Sequence, residues 1–267
     1  MTTKQNLLTQ NPITWCPGCS NFMILESVKK TLAKLIDEDK IKQEDFAMVT
    51  GIGCHAKMFD YLNISGIYSL HGRVLPTMLG ITLGNPKLKV IGFAGDGDTY
   101  AEGMGHFIHN CRYNADMTLV VHDNQAFSLT TGQASPTSKL GYKNKANPFG
   151  ETKQAVNPIK LALSAGAGFI ARCNPYNIEE TSLILEKAIK HKGFAFVEMV
   201  QPCLIFSGQT RLKDLMYKVE DNREVGRAWE LADEFDYVNK VGKIGIGVLY
   251  ETKREILGKK LNNLVNM

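Results

Sequence analysis

The sequence lacks any segment that would direct it into or across a membrane. Residues 1–12 are polar and have no apolar core, so they do not form a signal peptide. No other stretch is long and apolar enough to span a bilayer. We therefore expect a cytoplasmic protein without a membrane partner, and in that compartment disulfide bonds are uncommon.

A strong charge of either sign is also absent. The chain has 31 Lys and Arg residues against 27 Asp and Glu, which gives a formal net charge of +4. No basic stripe alternates with aromatic residues, so we expect no nucleic-acid partner. There is no internal repeat, no low-complexity tract and no C-x2-C-x2-C-x3-C-P run of the bacterial ferredoxin type. The 267 residues, of which 44% are hydrophobic, can instead build one sizeable core.

Strands and helices alternate along the chain in the predicted secondary structure. Apolar runs predict strands near 46–50, 67–70, 89–94, 117–122, 168–172 and 194–200. Helical periodicity predicts helices near 21–37, 75–83, 104–111, 157–167 and 177–191. This pattern is typical of the α/β class, with a mainly parallel sheet and helices on both faces.

The chain divides into one large domain and a C-terminal segment. Residues 1–209 carry the alternating pattern, and we expect them to form a single α/β domain. Residues 210–267 are more charged and less regular, and we expect an appendage that packs on the same domain or on a partner. Residues 128–156 are rich in small and polar residues and are long for a structureless connection, so we expect a functional loop there.

The most informative motif is Gly95-Asp96-Gly97, which follows a predicted strand. Asn124 follows the next predicted strand, so Asp96 and Asn124 lie at the carboxyl ends of successive strands. In open α/β sheets that edge binds ligands. A carboxylate, an amide oxygen and a nearby backbone carbonyl suit Mg²⁺, and the two glycines allow a diphosphate to approach the backbone. This spacing resembles the signature of thiamine diphosphate enzymes.

A second feature is the six cysteines, which are Cys16, Cys19, Cys54, Cys111, Cys173 and Cys203. In a cytoplasmic protein the Cys16-Pro-Gly-Cys19 motif is a redox pair, half of a zinc site or half of an iron–sulfur site. A thioredoxin-type pair follows a strand, and no clear strand precedes Cys16. A metal ion or a cluster is therefore the favoured interpretation.

A site with four thiolates needs two further cysteines. Cys111 lies on the apolar face of its predicted helix, where we expect a buried packing role. Cys54 and Cys203 each follow a predicted strand and project from the edge that carries Asp96. Cys173 also follows a strand, so the sequence alone does not exclude it.

Together these motifs resemble the β subunit of the 2-oxoacid:ferredoxin oxidoreductases over nearly the whole chain. The motifs that carry the resemblance are Trp15-Cys-Pro-Gly-Cys19, Gly51-Ile-Gly-Cys54, Ser69-Leu-His-Gly-Arg73, Gly95-Asp-Gly-Asp98, Gly105-His-Phe-Ile-His109, Asp123-Asn124, Thr131-Gly-Gln-Ala-Ser-Pro-Thr137 and Gln201-Pro-Cys203. Ser20 and Ser207 depart from the family pattern, and neither departure removes a ligand.

The resemblance implies three bound groups. The residues that match the ligands of a [4Fe–4S] cluster are Cys16, Cys19, Cys54 and Cys203. The residues that match the ligands of Mg²⁺ are Asp96, Asn124 and, through its backbone carbonyl, Ala126. The residues that match the thiamine diphosphate site are Gly53, Cys54, His71, Gly72, Gly95, Asp96, Gly97, Asp98, Asn124, Ala126, Leu129 and Thr130. The catalytic candidates are Lys57, beside the substrate carboxylate, and His71 and Arg73, against the cofactor.

The implied reaction is the oxidative decarboxylation of a 2-oxoacid to acyl-CoA and CO₂, with electrons passing through the cluster to ferredoxin. The substrate is 2-oxoglutarate, pyruvate or a broad range of 2-oxoacids. The segments 60–63 and 130–133 look more like those of 2-oxoglutarate and broad-range subunits. The chain carries the diphosphate half of the cofactor site, so an α subunit must supply the pyrimidine half with its glutamate. We expect activity only in that complex.

Three alternatives remain open. The four cysteines could hold structural Zn²⁺ in a non-catalytic scaffold subunit. The chain could also be half of a thiamine diphosphate lyase or synthase without redox chemistry, in which the cysteines are incidental. A relative that acts on indolepyruvate is disfavoured, because such chains are usually much longer.

Overall fold

A computed structural model describes residues 3–39, 41–207 and 212–257. The helices are α1 (Thr3–Asn6), α2 (Asn21–Asp37), α3 (Met58–Tyr61), α4 (Val74–Gly84), α5 (Met104–Tyr113), α6 (Pro158–Ser164), α7 (Ile178–Lys190) and α8 (Val225–Asp233). The strands are β1 (Phe46–Thr50), β2 (Ser65–Tyr68), β3 (Lys89–Gly95), β4 (Met117–Asp123), β5 (Phe169–Cys173), β6 (Phe194–Val200), β7 (Met216–Lys218), β8 (Phe235–Asp236), β9 (Val241–Gly242) and β10 (Ile244–Glu251). None of the described helices is both long and apolar enough to cross a bilayer.

The central sheet has eight strands in the order β2-β1-β3-β4-β6-β5-β10-β7. The six strands from β2 to β5 are parallel, whereas β10 pairs antiparallel with β5 and β7 pairs parallel with β10. The strands β8 and β9 form a separate antiparallel hairpin. The predicted α/β class, with a mainly parallel sheet and helices on both faces, is confirmed.

Alternate residues of each strand enter two separate hydrophobic cores. In β3, Ile91 and Phe93 join the core beneath α2 and α7, while Val90 and Ala94 join the core beneath α4, α5, α6 and α8. Every residue of β1, β4, β5 and β6 is buried. A parallel sheet covered on both faces has this property, which explains why continuous apolar runs predicted the strands.

The predicted elements match the structure with small differences at their ends. α6 ends at Ser164 rather than at 167, because Gly166 has a φ of 78° and cannot continue a helix. A π-helical turn, Asp98–Glu102, precedes α5 and was not predicted. Such turns are frequent at functional sites.

The C-terminal part of the described chain is more regular than the sequence predicts. β10 extends the central sheet beside β5, and α8 packs against α6 on one face of that sheet. Gly245 and Gly247 interrupt the apolar pattern of β10, which is why the sequence does not identify this strand. Residues 210, 211 and 258–267 of the expected appendage lie outside the described residues.

Candidate active site

Four neighbouring strands end at one edge of the sheet and carry predicted ligands. Cys54 follows β1, and Asp96 follows β3. Asn124 follows β4, and Cys203 follows β6. These strands are consecutive in the sheet and parallel. Because parallel strands end at the same edge, the segments that follow them converge on one region.

A cavity of about 60 Å³ lies at this edge. Its lining residues are Ile52, Gly53, Cys54, His55, His71, Gly95, Asp96, Gly97, Asp98, Asn124, Ala126, Phe127, Ser128, Leu129 and Thr130. This set contains each residue that the resemblance assigned to thiamine diphosphate except Gly72. The backbone N–H of Gly72 instead donates to Asp98 Oδ1 at 2.5 Å.

Hydroxyl groups from the 128–156 loop hold the side chain of Asp96. Its Oδ2 accepts a hydrogen bond from Ser135 Oγ at 2.5 Å, and Thr137 Oγ1 lies 2.8 Å away. Thr137 Oγ1 also lies 2.5 Å from Oδ1 of the completely buried Asp123. Burial raises the pKa of Asp96, and burial together with Asp96 raises the pKa of Asp123 well above its usual range. The loop therefore shapes this site directly.

Asp98 pairs with two histidines beside the cavity. His71 Nδ1 lies 3.1 Å from Asp98 Oδ1, and His55 Nε2 lies 3.5 Å from Oδ2. Burial opposes ionisation of Asp98, but its contacts with His55 and His71 outweigh burial and hold its pKa below the usual range. The same contact with Asp98 raises the pKa of His71. Asp98 thus favours the protonated form of the His71 imidazole, which lines the cavity.

The two glycines around Asp96 leave room for aromatic rings that line the cavity. A Cβ on Gly95 would lie 2.8 Å from His55 Nδ1, and a Cβ on Gly97 would lie 2.2 Å from Phe127 Cε1. Larger residues at these positions would push the rings aside. Ring packing is therefore a reason for glycine here in addition to the predicted close approach of a diphosphate.

A second cavity, of about 260 Å³, lies among the cysteines. The four cysteines that the resemblance assigns to a cluster all line it. The indole of Trp15 also lines it and donates to the carbonyl of Cys54 at 2.7 Å. Within the described parts of the chain, no group of three or more His, Cys, Asp or Glu side chains is arranged to hold a metal ion. The cavity that the four cysteines help to line is much larger than a single ion.

The thiols at this cavity influence one another. Burial raises the pKa of Cys54 to about 11, and the nearby thiols of Cys19, Cys203 and Cys16 raise it as well. Burial likewise raises the pKa of Cys19, with contributions from Cys203 and Cys16. Neighbouring thiolates repel one another. A bound metal group removes this electrostatic cost, because it binds the deprotonated sulfur atoms.

The two remaining cysteines lie in the hydrophobic cores. Cys111 is completely buried in the core beneath α5, which confirms its predicted packing role. Cys173, which the sequence left open as a ligand, is completely buried in the other core. Neither lines the cysteine cavity. Burial raises the pKa of both thiols.

The two cavities share a wall. The residues that line both are Cys54, Asn124, Ser128 and Leu129. The backbone N–H of Cys203 donates to the carbonyl of Asn124 at 2.9 Å. A predicted cluster ligand and a predicted Mg²⁺ ligand are therefore joined by one hydrogen bond.

Two of the three catalytic candidates lie away from the first cavity. Lys57 lines the cysteine cavity, where its ammonium group donates a hydrogen bond to the hydroxyl of Thr14. Arg73 is exposed, and its guanidinium donates to the backbone carbonyls of Gly72 and Glu102. His71, the third candidate, lines the first cavity.

The sequence prediction missed three residues of the site, which are His55, Ser135 and Thr137. His55 is 3% exposed and lines the first cavity. Its position next to Cys54 was an available signal. Ser135 and Thr137 belong to a quoted motif, but their contact with Asp96 depends on how the loop folds back on the strand ends. Spacing in the sequence does not reveal that contact.

Similarity to known proteins decides the family. Residues 51–199 match the family described as "Thiamine pyrophosphate enzyme, C-terminal TPP binding domain". The 2-oxoacid:ferredoxin oxidoreductase subunit beta of Saccharolobus solfataricus is 44% identical over 192 residues, which are 71% of this chain and 61% of that protein. The chain belongs to this β-subunit family. The resemblance drawn from the motifs is confirmed.

Other members of the β-subunit family match over a greater length. The 2-oxoglutarate synthase subunit KorB of Methanocaldococcus jannaschii is 31% identical over 259 residues, 95% of this chain and 93% of that protein. A solved 2-oxoglutarate:ferredoxin oxidoreductase from Magnetococcus marinus, with 2-oxoglutarate, coenzyme A and succinyl-CoA bound, matches with a TM-score of 0.92 and 31% identity. That match covers 99% of this chain and 90% of the other. The chain spans about three fifths (61%) of the S. solfataricus subunit.

Proposed function

We propose that this β subunit belongs to a cytoplasmic enzyme that oxidatively decarboxylates a 2-oxoacid to acyl-CoA and CO₂ and passes the electrons to ferredoxin. The observation that carries this proposal is the wall shared by the two cavities. It would bring a thiamine diphosphate site and an iron–sulfur site into direct contact. When bound, thiamine diphosphate supplies an electron sink for decarboxylation, and the cluster supplies a one-electron acceptor.

The cysteine cavity fits a [4Fe–4S] cluster better than a zinc ion. Four thiolates around Zn²⁺ lie about 2.3 Å from the metal and leave no space between them. A cavity of about 260 Å³ whose lining includes all four thiols has room for the larger body of a cluster held by cysteine thiolates. The proposed cluster ligands are Cys16, Cys19, Cys54 and Cys203.

The oxygen atoms at the first cavity fit Mg²⁺. The proposed ligands are the Asp96 carboxylate, the Asn124 amide oxygen and the Ala126 carbonyl, and these three residues line the cavity together. Asn124 Oδ1 accepts from the N–H of Ala126 at 3.0 Å and keeps a second lone pair. Mg²⁺ prefers oxygen ligands and leaves positions for phosphate oxygens. It would also supply a cation for the buried Asp96.

The catalytic candidates have separate proposed roles. His71, whose protonated form is favoured by its contact with Asp98, would bind the anionic diphosphate. Lys57 lies at the cysteine cavity and would offer its ammonium group to the carboxylate of the 2-oxoacid. Arg73 would act as a positioning residue, since its guanidinium holds the backbone next to His71.

The cofactor site is proposed to be completed by an α subunit. A cavity of about 60 Å³ is far smaller than the roughly 300–1,000 Å³ of sites that enclose a drug-sized ligand. Exposed apolar side chains surround it, including Ile52 at 37%, Leu129 at 50% and Leu70 at 75%. A partner that covers them would bury this surface and supply the pyrimidine half of the pocket.

The favoured substrate is 2-oxoglutarate, with a broad range of 2-oxoacids second and pyruvate third. The M. marinus relative binds 2-oxoglutarate and coenzyme A, and the M. jannaschii relative is named a 2-oxoglutarate synthase subunit. Both cover most of this chain, so they support the same substrate class here.

The test is the complex with the α subunit, purified anaerobically and assayed with coenzyme A, a panel of 2-oxoacids and a viologen dye. We expect dye reduction that depends on coenzyme A and is faster with 2-oxoglutarate than with pyruvate. Asp96→Ala should abolish this activity while the visible absorption of the cluster remains. An active Asp96→Ala complex, or a colourless complex that contains zinc, would contradict the proposal. Acyloin or aldehyde formation without dye reduction would indicate a non-redox thiamine enzyme.

A further inference from the structure

A buried lysine from the C-terminal hairpin lies behind the first cavity. Lys240, between β8 and β9, is 5% exposed and has a φ of 61°. Its ammonium group donates to the backbone carbonyl of Thr137 at 2.5 Å and lies 5.0 Å from the ring centroid of Tyr237. Burial of a charged lysine is costly unless an opposite charge compensates it. We therefore expect an acidic group close to this ammonium group.

The turn that Lys240 contacts is the one that orients Asp96. Thr137 Oγ1 lies between Asp96 Oδ2 at 2.8 Å and Asp123 Oδ1 at 2.5 Å, and Ser135 Oγ donates to the same oxygen of Asp96. Thr137 therefore connects the two side chains. Its carbonyl accepts the hydrogen bond from Lys240, and its hydroxyl contacts the carboxylate of Asp96.

Several buried acids influence the ammonium group of Lys240. Burial lowers the pKa of Lys240, and the buried acids Asp123, Glu198 and Asp96 act in the opposite direction. Glu198 already has a cation, because Arg172 Nε donates to it at 2.8 Å. The contact that links Lys240 to Asp96 runs through Thr137.

We propose that Lys240 is a positioning residue of the metal–diphosphate site. Its hydrogen bond to the Thr137 carbonyl holds the Ser135–Thr137 turn, whose hydroxyls orient Asp96. The inference rests on the proposed function, in which Asp96 binds Mg²⁺. It makes the C-terminal hairpin a part of the cofactor site instead of an external appendage.

The experiment measures Mg²⁺-dependent binding of thiamine diphosphate to the complex with the α subunit, after the cofactor has been removed. Lys240→Met removes the charge and keeps the length of the side chain, and we expect the Kd to rise at least about tenfold, since hydrogen bonds to charged groups are among the stronger ones. Lys240→Arg should restore most of the affinity. Lys243→Met, which changes an exposed lysine three residues away, should leave the Kd unchanged.

A second variant covers the case in which Lys240→Met fails to fold. Thr137→Val keeps the shape of the side chain but removes the hydroxyl that contacts Asp96, and it should raise the Kd to a similar extent. The EPR signal of the reduced cluster reports that the rest of the site is intact. Unchanged affinity in a folded Lys240→Met or Thr137→Val complex would overturn the inference.

An Asp96→Ala complex distinguishes a failure of the proposed Lys240 role from a failure of the proposed metal site. If Asp96→Ala loses cofactor binding while Lys240→Met keeps it, the role of Lys240 is wrong and the metal site stands. If Asp96→Ala binds Mg²⁺ and thiamine diphosphate normally, the proposed metal site is itself wrong, and the inference falls with it.

Discussion

Buried charges occur in two regions of this protein and are balanced differently. Near the antiparallel strand β10, Arg172 donates to Glu198 at 2.8 Å and to the hydroxyl of Tyr237 at 3.0 Å. The Tyr237 hydroxyl in turn donates to Glu198 at 2.8 Å. At the carboxyl edge, Asp96 and Asp123 are as deeply buried, but the groups that contact them are neutral hydroxyls: Thr137 lies between the two acids, and Ser135 donates to Asp96.

The difference distinguishes a structural cluster from a binding site. In the Arg172 cluster each buried charge faces an opposite charge and a hydrogen-bond partner, so it joins strands and needs no ligand. At the carboxyl edge burial raises the pKa of both acids, and a bound cation would favour their ionised forms. Buried acids in contact with neutral hydroxyl groups, more than burial itself, therefore mark the proposed metal site.

The largest expected effect comes from removing the α subunit. If the carboxyl edge is half of a site, the isolated chain should bind a cluster but show no 2-oxoacid-dependent dye reduction with coenzyme A. The missing glutamate alone should cost about 10²–10⁴-fold, the usual size of general acid–base catalysis. Addition of the α subunit should restore turnover. Robust turnover by a chain that mass spectrometry shows to be free of partner would refute this prediction.

The next largest effect is loss of the cluster, which should distinguish cysteines at the sheet edge from cysteines in the hydrophobic cores. Wild-type protein should contain about four iron and four sulfide per chain. Cys203→Ser should lose the visible absorption or change the EPR signal of the reduced cluster, because it removes a proposed ligand. The matched control is Cys111→Ser, which changes a buried cysteine that does not line the cavity. If Cys111→Ser or Cys173→Ser abolishes the cluster, the ligand assignment is wrong.

A smaller effect, on the free energy of unfolding, tests the Arg172 cluster. Arg172→Met should destabilise the protein by about 3–5 kcal/mol, because Glu198 then remains buried without its cation. Denaturant unfolding of the cluster-containing complex measures this change. Arg227→Met is the control, because it breaks exposed ion pairs with Glu230 and Glu234 and should destabilise the protein far less. Cofactor affinity should not change in folded Arg172→Met, and a large loss would show that the two regions are not separate.

The smallest expected effect is a pH dependence of the unfolding free energy that arises from His71 at the carboxyl edge of the sheet. Because the pKa of His71 is raised by Asp98, the folded state holds this proton more tightly than the unfolded chain does. The resulting stabilisation is complete below the ordinary histidine pKa of about 6.5 and is lost as the pH rises through the raised value. His71→Gln should remove this part of the pH dependence of the unfolding free energy. An identical pH profile in the variant would show that the pair contributes no linked stability.

Much of the site follows from local features of the sequence. Cys54, Asp96, Asn124 and Cys203 each come within four residues of the end of a predicted strand. The alternation of strands and helices predicts that those strands are parallel, as they are in the structure. The carboxyl ends of parallel strands meet at one edge. These residues could therefore be assigned to one region before the structure was known.

Other features depend on contacts between distant segments and were visible only in the tertiary structure. The sequence predicts that Cys173 follows a strand as Cys203 does, but Cys173 is the last residue of β5, where side chains point into the cores on the two faces of the sheet. No local feature of the sequence connects Lys240 to the site, but the hairpin brings it into contact with Thr137, more than a hundred residues earlier in the chain. The sequence determined which chemical groups lie at the sheet edge. Packing decided how buried charges are paired, because that pairing depends on which segments meet in space.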